Sequence, residues 1–270
     1  MTFIHPCRVI GILNCSPDSF YDGQKSSVEA LVEKALLMEN QGAEIIDIGG
    51  ESTRPGSLQV SEIEELSRVL PVIELLRKQS RIPLSIDTSK SKVAQRAIDA
   101  GVNMINDVTA GRDPLMPKVA AQNRVEAILM HMQGQPKTMQ EAPSYQNILA
   151  EVVDFLKERS QIWMDAGVPQ QNIIWDPGIG FGKTLGHNLQ LMANLQKFKG
   201  KHRVLLGSSR KSFIAGIDPY ATSPHDRLGG SLASLGWALC SSVDMVRVHD
   251  VQETRQFISV FQALQQHHQP

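Results

Sequence analysis

The feature that most constrains this chain is a repeated alternation. Short apolar runs with strand character recur eight times, each followed by a stretch whose apolar residues fall at helical spacing. The runs are Val9–Leu13, Glu44–Ile48, Leu84–Asp87, Met104–Val108, Ala127–Met130, Ile173–Asp176, Val204–Gly207 and Met245–Val248. Between them, Val28, Leu31, Val32, Ala35 and Leu36 predict the first helix, which Gly42 should close. Ile63, Leu66, Leu70 and Ile73 predict the second, with Pro71 bending it. Further helices are predicted at 93–100, around Val119, from Leu149 to Gly167, over Leu189 to Leu195, from Arg227 to Ser241, and over Phe257 to Leu264.

Eight such units in 270 residues match the size of a (β/α)8 barrel, a TIM barrel formed as a single domain over 1–270. The strands are continuous apolar runs, as expected for a parallel sheet covered on both faces. An open, doubly wound α/β sheet is the alternative. The units are too short, even and numerous for it, and no dinucleotide-binding turn is present. The net charge of -1 and the lack of a long basic run argue against nucleic acid or a membrane surface as partner. No apolar run approaches the length of a bilayer span, and no signal peptide is legible. Three cysteines without metal-ligand spacing (Cys7, Cys15, Cys240) fit free thiols in a reducing, cytoplasmic setting.

The glycine-rich stretch Asp176-Pro177-Gly178-Ile179-Gly180-Phe181-Gly182-Lys183 resembles two phosphate-binding patterns and satisfies neither. A P-loop ending in Gly182-Lys183-Thr184 needs glycine at 177, where proline stands. A dinucleotide fingerprint from Gly178 needs glycine at 183, where lysine stands. The carboxylate before the glycines is the better clue.

In a parallel barrel the active site lies at the C-terminal ends of the strands. Asn14, Asp47, Asp87, Asn106, Met130, Asp176, Lys211, Arg247 and His249 all fall there. Asp87, Asn106, Asp176 and Lys211 suit a flat, nitrogen-rich heterocycle: a carboxylate takes two parallel N–H bonds, an amide offers one donor and one acceptor, and lysine donates to a carbonyl. Arg247, His249 and Asn14 suit a phosphate or diphosphate. A neutral Asn oxygen beside diphosphate oxygens fits Mg2+, which takes few protein ligands. Two Gly/Pro-punctuated loops, 15–23 and 50–57, have the character of lids over this site.

These residues are embedded in motifs that resemble the dihydropteroate synthase family. They are Gly11-Ile12-Leu13-Asn14 through Pro17-Asp18-Ser19-Phe20, Asp47 through Gly56, Ile86-Asp87-Thr88, Ile105-Asn106-Asp107, Met130 through Gly134, Asp176-Pro177-Gly178, Ser209-Arg210-Lys211 and Arg247 through Asp250. They occur in the family's order over almost the whole chain. The resemblance implies that p-aminobenzoate attacks 6-hydroxymethyl-7,8-dihydropterin diphosphate, giving 7,8-dihydropteroate and diphosphate in folate biosynthesis. It also implies a homodimer and a sulfonamide target, since sulfonamides mimic p-aminobenzoate and should compete with it.

By the same resemblance, Asp176, Lys211, Asp87 and Arg54 carry the reaction. Asp87, Asn106, Asp176 and Lys211 hold the pterin, with Met130 and Phe181 lining its pocket. Asn14, Arg247 and His249 hold diphosphate, with Mg2+ near Asn14. Thr53 and Arg54 meet diphosphate and the p-aminobenzoate side, and Phe20, Pro55, Ser209 and Lys211 surround p-aminobenzoate. Cys15-Ser16 and Gln24 depart from the family's usual residues in the first loop. The alternatives are a pterin-binding methyltransferase, which should lack the 52–56 loop and the diphosphate set, and a catalytically silent pterin-binding paralogue. The glycines after Asp176 are expected to turn the chain beside the ring and place Phe181 against it, with Lys183 directed to solvent.

Overall fold

A computed structural model describes residues 7–15, 27–53 and 56–267. Eight parallel strands close into a barrel in sequence order: β1 (Arg8–Asn14), β2 (Ile45–Gly49), β3 (Leu84–Asp87), β4 (Met104–Asp107), β5 (Glu126–Met130), β6 (Ile173–Asp176), β7 (Arg203–Leu206) and β8 (Met245–Val248). β8 pairs with β1 through Arg8↔Met245 to Gly11↔Val248, which completes the ring. The helices between and after them are α1 (Val28–Asn40), α2 (Glu62–Arg77), α3 (Ser91–Asp99), α4 (Met116–Asn123), α5 (Ile148–Asp165), α6 (Leu185–Ala193), α7 (Leu228–Cys240) and α8 (Val251–His267). No helix among the described residues is long and apolar enough to cross a membrane.

Local chemistry sets where the helices start and stop. The side chains of Ser27, Ser61, Asn147 and Thr184 accept backbone N–H groups at the starts of α1, α2, α5 and α6. Gly42 follows α1 with φ +98°, the left-handed turn predicted for it. Pro71 sits within α2, which runs unbroken from Glu62 to Arg77. The buried face of α2 differs from the expectation. Ile63 is 82% exposed, Leu66 and Leu70 are half-buried, and the inward positions are Glu65, Val69, Val72, Ile73 and Leu76. The fully buried Glu65 takes a place on that face because Lys90 reaches it, Nζ to Oε2 2.6 Å.

Strand side chains alternate between two faces, and here both faces are buried. The outward set, such as Val9, Leu13, Ile46, Ile48, Ile105 and Leu129, packs under the helices in one large core. The inward set forms layers. Ile10, Ile45, Met104, Ile128, Ile174, Leu205 and Met245 make one apolar layer inside the barrel. Each of these side chains contributes about 1.5–3 kcal/mol relative to exposure, so the layer is a firm floor. Two residues further along the same strands, the inward positions are Ile12, Asp47, Asn106, Met130, Asp176, Gly207 and Arg247. The chain changes from a sealed apolar plug to a polar ring in one step of the pleat.

Candidate active site

The ring is built by register. Asp87 pairs with Asn106 across β3 and β4, and Met130 pairs with Asp176 across β5 and β6. Asp47, Asp87, Asn106 and Asp176 are all buried. The β7 position of the ring is Gly207. A Cβ there would lie 3.7 Å from Asp176 Oδ2, 3.8 Å from Lys211 Nζ and 3.9 Å from the Arg247 Cβ. A strand without a side chain at this point leaves room amid the charged groups.

Arg247 spans the ring. Its Nε donates to Asp47 Oδ2 at 2.6 Å and its Nη2 to Asp87 Oδ2 at 2.7 Å. Asn106 Nδ2 donates to the same Asp47 oxygen at 3.0 Å. Burial works against the Arg247 charge, but the carboxylates of Asp47 and Asp87 more than offset it and hold the guanidinium above its ordinary value. Burial pushes Asp87 up to about 7, against the pull of Arg247 and with the help of the Asp47 charge. Asp176 is raised by burial, opposed by Lys211, by the Gly178 N–H that donates to Oδ1 at 2.7 Å, and by Lys183. The half-buried Lys211 falls to about 8, burial outweighing the attraction of Asp176.

Beside these groups lies an apolar wall. Met130 clusters with Val108, Met132 and Met139, and Phe181 packs against them. Lys211 Nζ stands 4.7 Å from the centre of the Phe181 ring and donates to the Ile179 carbonyl. A flat face next to convergent carboxylates, an amide and an ammonium is a receptor for a planar, nitrogen-rich ring.

The comparisons with known proteins point to one family. The pterin binding enzyme family matches residues 10–249. The dihydropteroate synthase of Escherichia coli (strain K12) is 44% identical over 96% of this chain and 92% of its own length, and that of Bacillus subtilis (strain 168) is 43% identical over 95% and 88%. The Yersinia pestis dihydropteroate synthase, solved with a sulfonamide drug complex, superposes with a TM-score of 0.92 at 39% identity, covering 97% of this chain and 96% of that one. The Xanthomonas albilineans enzyme in complex with 7,8-dihydropteroate gives a TM-score of 0.88 at 40% identity, covering 97% and 95%.

The chain belongs to the dihydropteroate synthase family. It is a transferase, and its barrel is the family's barrel.

Against that family's expected site, the structure brings together Asp87, Asn106, Asp176, Lys211, Met130 and Phe181. Arg247, grouped from the sequence with diphosphate, is turned onto Asp47 and Asp87. His249 is held by Ser209, whose Oγ lies 3.1 Å from Nδ1 and accepts the His249 backbone N–H at 3.2 Å. Asn14 ends β1 half-buried beside Gly49. Thr53 is half-buried beyond β2, where the loop root is tied down. Arg68 Nη1 donates to the Gly50 carbonyl at 2.7 Å, and Lys90 pairs with Glu51. Phe20, Arg54 and Pro55 lie outside the described residues, as do Ser16 and Gln24.

Two residues differ from the sequence reading. Asp47, noted as a strand end but given no role, is the hub between Arg247 and Asn106. Its signal was the inward spacing it shares with Asn106, Asp176 and Arg247. Lys183, expected in solvent, is 3% exposed. Its Nζ lies 3.0 Å from His131 Nδ1, and it donates to the carbonyls of Phe181 at 2.9 Å and His131 at 3.2 Å. The glycines explain the reversal. Gly178 and Gly182, at φ +71° and +64°, curl the loop back against the β5 loop so tightly that a Cβ at Gly178 would lie 1.9 Å from the His131 carbonyl oxygen.

Proposed function

We propose how this barrel performs the dihydropteroate synthase reaction, in which p-aminobenzoate displaces diphosphate from 6-hydroxymethyl-7,8-dihydropterin diphosphate. The observation that carries the reading is the convergence of Asp87, Asn106, Asp176 and Lys211 above a sealed apolar floor, flanked by Met130 and Phe181. Asp176 accepts from the guanidine-like edge of the pterin, Asn106 and Asp87 from its other N–H groups, and Lys211 donates to the ring carbonyl. The ring slots over Gly207 against the Phe181 face.

The bond that breaks joins a CH2 group to diphosphate, and the electron-rich dihydropterin supports positive charge at that carbon. The reaction is therefore dissociative in character. Asp176 offsets the ring's cationic character with a carboxylate that burial has stripped of competing water. The aniline nitrogen of p-aminobenzoate is already nucleophilic, so no strong general base is required. His249 and Arg247 meet the departing diphosphate with Thr53 and Arg54. Ser209, Phe20 and Pro55 frame p-aminobenzoate.

The donor set fits Mg2+ as a guest of the substrate. No group of three or more His, Cys, Asp or Glu residues suited to a metal occurs among the described residues. Asn14 offers one neutral oxygen at the barrel mouth, which suits an ion that arrives on diphosphate and keeps most of its ligands from phosphate and water. Bound there, Mg2+ would stabilise the charge of the leaving diphosphate.

A homodimer is the assembly this surface supports. Leu185 and Leu189 on α6, Trp237 on α7, and Val260 and Leu264 on α8 are all exposed large apolar side chains on consecutive helices. The three cysteines are free thiols, in keeping with a cytoplasmic enzyme. Sulfonamide inhibition tests the ligand assignment: a sulfonamide should compete with p-aminobenzoate and not with the pterin diphosphate. Competition with the pterin diphosphate alone would overturn it.

A further inference from the structure

Asp47 is fully buried, and its two oxygens are treated very differently. Oδ2 accepts from Arg247 Nε at 2.6 Å and from Asn106 Nδ2 at 3.0 Å, while Oδ1 is buried with no hydrogen-bond partner among the described residues. A carboxylate only accepts, so the Asn106 amide must turn an N–H toward Asp47. That leaves the Asn106 carbonyl and its second N–H for the pocket. Asp47 therefore sets which face of Asn106 a ligand meets.

The guanidinium tells the second half. Nε–H and Nη2–H form one edge of Arg247, the edge that matches both oxygens of a single carboxylate. Here that edge is split, with Nε on Asp47 and Nη2 on Asp87 Oδ2 at 2.7 Å. A pterin N–H pair that takes both oxygens of Asp87 competes with Nη2 for that carboxylate. The unpartnered Asp47 Oδ1 is the acceptor that would complete the fork on Asp47. Nε need not let go for this to happen.

Resting on the reading that the pterin takes Asp87, we infer that Asp47 is a positioning residue, which fixes the Asn106 amide and receives the Arg247 fork when the pterin displaces it from Asp87. The charge on Arg247 is then kept at the barrel mouth, within reach of the diphosphate end, instead of being expelled. The charged and titratable groups facing Asp87 are Arg247, Asp47, Lys211, Glu65 and Asp107. Neutralising Asp47 removes one of the charges that hold Asp87 high.

The test compares wild type with Asp47→Asn, each checked for fold by thermal unfolding, in steady-state kinetics with both substrates from pH 5 to 9. The expected result is a KM for pterin diphosphate raised about tenfold or more, the loss of roughly one hydrogen-bonded charge contact. The KM for p-aminobenzoate should stay within about twofold. The acidic limb of kcat/KM should move to lower pH, because Asp87 loses a neighbouring negative charge. A folded variant with unchanged pterin KM and an unmoved acidic limb would overturn the inference. So would a loss confined to the fraction of active enzyme. A second readout needs no variant: in a crystal structure of the wild-type protein with a bound pterin, Nη2 should lie within hydrogen-bond distance of Asp47 Oδ1. Nη2 still on Asp87 would overturn the inference independently. Wild type that fails to release diphosphate from the two substrates would instead contradict the function on which it rests.

Discussion

Lys183 Nζ lies 3.0 Å from His131 Nδ1, joining the loop after β6 to the loop after β5 behind the pterin wall. Both groups are buried, and among the described residues the hydrogen-bond partners of Lys183 are neutral: the imidazole and two carbonyls. Burial, and then the Lys183 charge, depress His131 from 6.5 to about 3. Burial likewise holds Lys183 well below the usual lysine range, against the pull of Asp176.

These shifts have one sign. Between about 3 and 6.5 the unfolded chain takes up a proton on His131 that the folded chain refuses. The stability His131 confers is present above pH 6.5 and is lost as pH falls toward 3. Lys183, also depressed, adds a slope of the same sign at higher pH. Denaturant unfolding as a function of pH should show stability falling below pH 6.5, and His131→Asn, whose Oδ1 can accept in place of Nδ1, should flatten that part of the curve. An unchanged slope in His131→Asn would assign the acid sensitivity elsewhere.

Asp176→Asn keeps the shape of the side chain and removes its charge. The kcat should fall by about 10²–10³-fold, the scale expected when one preorganised electrostatic group is lost. Circular dichroism and thermal unfolding should show a folded barrel. Turnover near wild type would remove Asp176 from the proposed stabilisation of the pterin cation.

Gly207→Ala separates pocket from scaffold. The nearest heavy atoms to the new methyl group stand at ordinary contact distance, 3.7–3.9 Å. Stability should change by less than about 1 kcal/mol. The methyl nonetheless occupies the gap assigned to the ring, so the KM for pterin diphosphate should rise about tenfold while that for p-aminobenzoate holds. Equal shifts in both values would place the ring elsewhere.

Val260 and Leu264 are one helical turn apart on α8, 56% and 67% exposed. The double change Val260→Glu, Leu264→Glu should cost the protomer fold little, within about 0.5 kcal/mol per site. It should convert a dimer to a monomer in light scattering coupled to size-exclusion chromatography. A variant that stays dimeric would move the interface off this face.

The barrel was legible in the sequence because eight apolar runs, buried on both faces, cannot be confused with half-exposed strands. The site was legible because Asp87, Asn106, Asp176 and Arg247 interrupt those runs at their C-terminal ends. What escaped were matters of direction. Ile63 faces solvent and Glu65 takes an inward place on α2, where Lys90, distant in sequence, pairs with the buried carboxylate. Lys183 turned inward because Gly178 and Gly182 fold the loop onto His131, and glycine spacing does not reveal which way a loop curls. The strand-end position and planar fork of Arg247 point to diphosphate, but they do not reveal that Asp47 and Asp87, remote in sequence, hold the guanidinium inside the ring.

The most direct test of the account is diphosphate release by the purified protein, supplied with 6-hydroxymethyl-7,8-dihydropterin diphosphate, p-aminobenzoate and Mg2+. The account predicts release that depends on both substrates, with 7,8-dihydropteroate formed in equal amount. No release with both substrates saturating, despite bound pterin, would contradict it and mark the chain as a silent pterin-binding paralogue.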